Sequence, residues 1–175
     1  MEEIDQLLTI AEISVALAGF AGIIATFQLR NKDDVSRGRV VALTMIVNIS
    51  LLGALFSMLP IGLFNFGMSP DRIWIVTSFL LGINQFAYLV VLLRRVPFRK
   101  VNTGLRFLFI SLFTIGGLIG IANFLNSFQI IFDGGFGTMF TAFVFNLGLV
   151  CFMFSRLLLY PLWRSVVSKE TSASE

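Results

Sequence analysis

The sequence predicts an all-α integral membrane protein, a bundle of about five transmembrane helices with the N-terminus outside and the C-terminus cytoplasmic. Three observations lead to this prediction. The composition is 57% hydrophobic and only 13% charged, whereas about 25% of residues are charged in an ordinary soluble domain. Long uncharged stretches separate the charged residues. The basic residues fall almost entirely on one side of those stretches.

The uncharged stretches set the number of spans, because a bilayer core of about 30 Å takes about 20 helical residues. A single transmembrane domain over residues 1–164 and a short polar cytoplasmic tail over 165–175 follow from them. A four-span arrangement would have to bury the glycine-rich run between the last two spans. We place the spans at about 7–29, 40–64, 73–93, 105–127 and 138–160, from uncharged stretches at 13–29, 40–70, 73–93, 107–132 and 134–155.

Two of these spans have uncertain ends. The first is long enough only if it begins near Leu7 and includes Glu12. The second contains Pro60 near its far end, where we expect a kink or an early stop because proline removes an intrahelical hydrogen bond.

Orientation follows from the placement of charge. With five spans, twelve of the thirteen Lys and Arg residues lie on one side, and only Arg72 lies on the other. The positive-inside rule makes the basic side cytoplasmic. The basic loops can bind anionic lipid headgroups, at about 1 kcal/mol per base, and could also dock a cytoplasmic protein partner. Their main residues are Arg37, Arg39, Arg94, Arg95, Arg99 and Lys100.

The first residues, MEEIDQ, carry three acids and no base, unlike a cleaved secretory signal, so we expect the first hydrophobic segment to remain in the mature protein. The one N-x-S/T match, at residues 48–50, lies inside the second span, where no glycan is added. The absence of such a match elsewhere favours the inner membrane of a bacterium.

Two spans carry stripes of small residues. In the first span the stripe contains Ser14, Ala18 and Gly22, with alanines one turn beyond each end. In the fourth span Gly116 and Gly120 continue into Asn123. Small residues let helix backbones approach closely in lipid. We expect these faces to pack within the chain, for example against each other, or to join protomers of a homo-oligomer.

Polar side chains within the spans are costly unless they have partners. At 1.5 Å rise per residue, Glu12, Asn123 and Asn146 fall at similar outer depths and could form one polar layer. Asn84 and Gln85 fall near the midplane. The alternative interpretation is that the amides bond between helices and that Arg156 extends to the inner interface. The full set is Glu12, Asn48, Asn84, Gln85, Asn123, Asn126, Asn146 and Arg156.

Glu12 is the one acid inside a plausible span. A carboxyl group there should be neutral, face water or pair with a base, and Arg72 is the one base on that side. The functional interpretation is a cation-attracting ring at a pore mouth, or a proton or substrate site. The alternative is that the helix core begins at Ile13 and Glu12 lies at the interface.

Enzyme chemistry has little support in this sequence. There is no histidine and one cysteine, Cys151, so the usual metal ligands and nucleophile–base pairs are missing. We expect no cofactor, no catalytic residue and no direct contact with nucleic acid. The leading hypothesis is a homo-oligomeric channel or pore-forming subunit in the lipid bilayer, because five thin helices cannot alone enclose a wide polar path. The alternatives are a membrane anchor or sensor subunit for a cytoplasmic partner, or a small-solute carrier.

Overall fold

The computed structural model describes residues 2–30, 37–95, 103–130 and 135–172, and their regular secondary structure is entirely helical. Each of the five helices contains a segment long and apolar enough to cross a membrane. The prediction of five apolar helices is therefore confirmed. They are α1 (Glu2–Arg30), α2 (Arg37–Asn65), α3 (Pro70–Arg95), α4 (Thr103–Ser127) and α5 (Phe136–Ser172).

The helix ends differ from the predicted spans mainly at the two ends of the chain. The apolar segment of α1 is Glu3–Phe27, so Glu12 lies well inside a helix. α5 continues to Ser172, so most of the predicted polar tail continues this helix. α5 also begins within the glycine-rich run, at Phe136.

Pro60 does not end the second helix, and the expected early stop is wrong. α2 continues through Pro60, which is buried, to Asn65. Proline removes one backbone donor. The remaining backbone groups still need partners where water is absent, and continuing the helix supplies them.

A tight turn joins α2 to α3. The amide of Gly67 donates to the carbonyl of Phe64 at 2.9 Å, and the amide of Met68 donates to that of Leu63 at 3.3 Å. This pair of bonds is a Schellman motif, and it needs a residue with positive φ at Gly67, whose φ is 80°. Pro70 then opens α3, where its missing N–H costs nothing.

The chain divides into two compact units. One contains residues 1–7 and 56–145, and the other contains residues 8–55 and 146–175. In the first, α3 packs along α4, and Phe143, Met139 and Leu81 are buried. In the second, α1 meets α2 where Ser14 lies against Gly53.

The surface of the described residues is rich in large apolar side chains. Such a surface is unusual for a protein in water and is ordinary for one in lipid. Exposed examples from all five helices are Phe20, Phe27, Leu55, Phe79, Phe107, Leu118 and Val144.

Candidate functional site

The side chain of Asn126, near the end of α4, connects two other parts of the chain. Its amide nitrogen donates to Ser78 Oγ of α3 at 3.1 Å and to the carbonyl of Gly135 at 3.0 Å. Its side chain is fully buried. One amide therefore ties α4 both to α3 and to the backbone that enters α5.

Asn123 lies one turn earlier on the same face of α4. Its amide nitrogen donates to the carbonyl of Ile119 at 2.9 Å and to that of Thr138, in the first turn of α5, at 3.3 Å. Only 1% of Asn123 is exposed. Both asparagines therefore bond across helices, which is the alternative interpretation that the sequence left open for the amides.

In each of these two side-chain amides, the hydrogen bonds described above are made by the nitrogen alone. The oxygens Asn123 Oδ1 and Asn126 Oδ1 are buried and have no hydrogen-bond partner among the described residues, and the same is true of Thr138 Oγ1. An unpaired buried polar group costs about 1–3 kcal/mol. We call Asn123, Asn126 and Thr138, together with Ser78 and the Gly135 carbonyl, the amide cluster.

Side chains of α3 and α5 from the same compact unit cover the glycine stripe of α4. A Cβ on Gly116 would lie 3.3 Å from both Gln85 Nε2 and a ring carbon of Phe145, and a Cβ on Gly120 would lie 3.5 Å from Gln85 and Phe86. The predicted midplane residue Gln85 thus lies over the predicted packing residues Gly116 and Gly120. Its half-buried stem packs on this stripe of α4.

The stripe on α1 is only partly buried. Ser14 is buried against Gly53, and Ala18 is half-buried. Gly22 is exposed, with nothing within 4 Å of the Cβ position among the described residues. Ala21 is fully buried instead. The buried face of α1 is therefore rotated slightly away from Gly22, whose role in contact between protomers stays a prediction.

Glu12 lies on the opposite, exposed side of α1. At 100° per residue, the residues of the apolar segment after Glu12 that lie within about 40° of it are Ala16, Gly19, Ile23 and Thr26, and all four are exposed. Nothing lies within 4 Å of the Cβ position of Gly19 among the described residues. We call this surface, from Glu12 to Thr26, the Glu12 face.

The other predicted residues are less informative. Asn84 and Asn146 are half-buried, and Asn48 is exposed. Asn123 belongs to one compact unit, while Glu12 and Asn146 belong to the other, so their common polar layer stays a prediction.

Four of the six basic-loop residues lie at helix ends. Arg37 and Arg39 lie in the first turn of α2, and Arg94 and Arg95 in the last turn of α3. Arg99 and Lys100 lie outside the described residues. The loop segments 31–36 and 96–102 also lie outside them, so the roles predicted for these loops stay predictions.

Sequence reasoning did not select Ser78 and Thr138, and it gave Asn126 no separate role. The available signal was the spacing of Asn123 and Asn126, because residues three apart share a helix face. No local signal pairs that face with Ser78, 48 positions away along the chain.

No protein family, curated protein or solved structure matches this chain. A functional proposal therefore depends on the residues of this chain and their arrangement. The amide cluster and the Glu12 face are the two features that combine polarity with an apolar helical setting.

Proposed function

We propose that this chain is an integral membrane protein of a bacterial inner membrane, with its N-terminus outside. The proposal is supported by five helices long and apolar enough to cross a membrane. It is also supported by the concentration of basic residues on one side of them, which in bilayers is the cytoplasmic side.

Within that membrane, the chain is proposed to form a homo-oligomer that encloses a cation-permeable pore. The observation that carries this proposal is the exposed carboxyl group of Glu12 inside the apolar segment of α1. A charged side chain on a lipid-facing helix costs about 2.5–3.5 kcal/mol at the helix centre on insertion scales, and less at the outer depth of Glu12. Burial in the chain does not relieve this cost, because Glu12 is exposed.

The nearest neighbours of Glu12 on its helix face leave room for a second helix. Ala16 and Gly19 give the part of the Glu12 face next to the carboxyl group a shallow profile, whereas Ile23, further along the same face, is 54% exposed. Small residues permit close approach of a second helix. A ring of protomers joined near this face would bring several copies of Glu12 to the outer mouth of a shared path, where they would concentrate cations.

The first test compares cation flux through proteoliposomes containing the wild type, Glu12→Gln or Glu3→Gln. We expect Glu12→Gln to lower cation flux roughly 3- to 10-fold, because it removes the charge that raises the local cation concentration. Glu3→Gln is the matched control: it removes the same charge from an exposed position near the start of α1, and it should change the flux less than about twofold.

Two outcomes would overturn the pore. One is a purified protein that is monomeric in nanodiscs and gives no cation leak. In that case, saturable uptake of a small solute would favour a carrier. Capture of a cytoplasmic protein partner through the basic loops would favour an anchor. The other is a Glu12→Gln variant with wild-type flux. A loss of stability in Glu12→Gln that a change at Arg72 restores would instead assign Glu12 to a structural ion pair.

A further inference from the structure

The amide cluster contains three buried oxygens whose partners are not supplied by the described residues: Asn123 Oδ1, Asn126 Oδ1 and Thr138 Oγ1. The assignment of oxygen and nitrogen in the two amides follows from their neighbours. The carbonyls of Ile119, Gly135 and Thr138 accept hydrogen bonds and cannot donate them. The nitrogens must therefore face the carbonyls, and the oxygens are the groups left over.

These three oxygens belong to one small region. Asn123 and Asn126 are three residues apart on α4, so their Cβ atoms are about 5–6 Å apart on one helix face. The amide of Asn123 contacts the backbone of Thr138 itself, and that of Asn126 contacts Gly135, three residues earlier. The unpaired atoms therefore lie around the first turn of α5.

The chemistry of the three groups is specific. Two amide oxygens accept hydrogen bonds, and a threonine hydroxyl can both accept and donate. One water molecule can donate to both amide oxygens and accept from the hydroxyl. Buried waters typically make about three hydrogen bonds to groups that otherwise have none.

A cation suits this region less well than a neutral molecule does. The first turn of α5 presents the positive end of its helix dipole, and the last turn of α4, which contains Asn126, presents the negative end, so the two dipoles together do not favour a cation. The amides and hydroxyl that would surround a bound ion carry no net charge, and burial of an uncompensated ion is costly.

We propose that the amide cluster binds an ordered water molecule that bridges Asn123 Oδ1, Asn126 Oδ1 and the hydroxyl of Thr138. This water joins α4 to the start of α5, alongside the direct bond of Asn126 to Ser78 on α3. The amide cluster and its bound water thus connect α3, α4 and the start of α5. It does not depend on whether the chain forms a pore.

The proposal is tested by whether one isosteric substitution lowers the folding stability. Thr138→Val removes the hydroxyl and keeps the shape of the side chain. If water bonds the hydroxyl, the folding equilibrium should become roughly 3- to 10-fold less favourable, which is the worth of one hydrogen bond. If the hydroxyl is unpaired, its removal should leave stability unchanged or raise it, and this result would overturn the proposal.

The matched control is Thr141→Val, one turn further along α5. Thr141 is exposed, and its hydroxyl donates to the carbonyl of Gly137 in the same helix at 2.9 Å. We expect a change of less than about threefold from this variant. Unfolding in detergent, followed reversibly by circular dichroism, gives both equilibria. An equal loss in the two variants would contradict a specific role for Thr138.

A measurement on the wild-type protein avoids any dependence on variants. Proton-detected NMR in nanodiscs should show cross-peaks from a long-lived water to the side-chain amides of Asn123 and Asn126, and the absence of these cross-peaks would overturn the proposal. Replacing Na⁺ or K⁺ by N-methylglucamine at constant ionic strength should leave wild-type stability unchanged. A loss of stability in that exchange, absent in Thr138→Val, would assign the cluster to a cation instead.

Discussion

Two helix ends in this chain close with the same backbone hydrogen bonds but with different residues. At the end of α2, the residue with positive φ is Gly67. At the end of α4, the amide of Gln129 donates to the carbonyl of Asn126 at 3.0 Å, and that of Ile130 donates to Leu125 at 3.1 Å. Gln129 has a φ of 56°, a conformation that costs a non-glycine residue about 1–2 kcal/mol.

We therefore expect Gln129→Gly to raise the free energy of unfolding by up to about 1 kcal/mol, since the relief of strain exceeds the added chain entropy. Gly67→Ala is the reciprocal control and should lower stability by about 1 kcal/mol. Urea or thermal unfolding in one detergent measures both. A destabilised Gln129→Gly would show that the glutamine side chain contributes more than its backbone costs.

Asparagines in this chain differ in their surroundings, although the sequence presents them alike. Asn126 is buried and donates two hydrogen bonds, whereas Asn48 is exposed on α2. Burial and bonding therefore decide which amide matters for stability.

Asn126→Ala should lower the free energy of unfolding by about 1–3 kcal/mol, because it removes two bonds and leaves the Gly135 carbonyl without that donor. The same substitution at Asn48 should change stability by less than about 0.5 kcal/mol. Parallel unfolding curves of the two variants give the comparison. Similar losses at both sites would mean that Asn48 has a partner outside the chain.

At the scale of elements, α3 and α4 approach closely because glycines lie at their contact. A Cβ on Gly82 would lie only 2.8 Å from a ring carbon of Phe124. That ring in turn contacts Phe79 and Phe86 of α3, with centroids 5.3 and 5.7 Å away. Gly82 therefore makes room for a ring that joins both helices through edge-to-face contacts, each worth about 0.5–1.5 kcal/mol.

Gly82→Ala should lower stability by about 1–3 kcal/mol, because the added methyl group must displace the Phe124 ring. Gly22→Ala should have the opposite sign, raising stability by about 0.5–1 kcal/mol, since nothing described lies near that Cβ position and alanine favours the helix. Unfolding of the two variants under identical conditions tests the difference in sign. A destabilising Gly22→Ala would indicate that another protomer covers Gly22.

At the scale of the whole molecule, the proposed orientation depends on charge rather than on packing. Phe66 lies in the turn between α2 and α3 and is 89% exposed, and Thr103 is exposed at the start of α4. With an external N-terminus, these two residues lie on opposite sides of the membrane.

A membrane-impermeant maleimide should label Phe66→Cys in intact cells, and it should label Thr103→Cys only after the membrane is permeabilised. Both substitutions are made in a Cys151→Ala background, because the native cysteine is exposed. The reverse pattern would invert the orientation. Labelling of both from outside would contradict a membrane crossing by α3, the helix that lies between them.

The uncharged stretches of the sequence were enough to predict the five helices of the described residues and most of their ends, but not the extension of α5 to Ser172. The reason is that lipid requires about 20 apolar residues per span and requires each helix to satisfy its own backbone groups. Both requirements are local in the sequence. They also explain why α2 continues past Pro60, where the local rule for proline left either a kink or an early stop open.

The partners of the polar side chains came only from the tertiary structure. Lipid-facing and packed faces of a membrane helix are both apolar, so hydropathy does not reveal how a helix is rotated or which neighbour it meets. The buried face of α1 includes Ala21 rather than Gly22, and Asn126 reaches Ser78 and Gly135. These pairings depend on helix rotation and on register between helices, which are set by contacts between residues far apart in the chain.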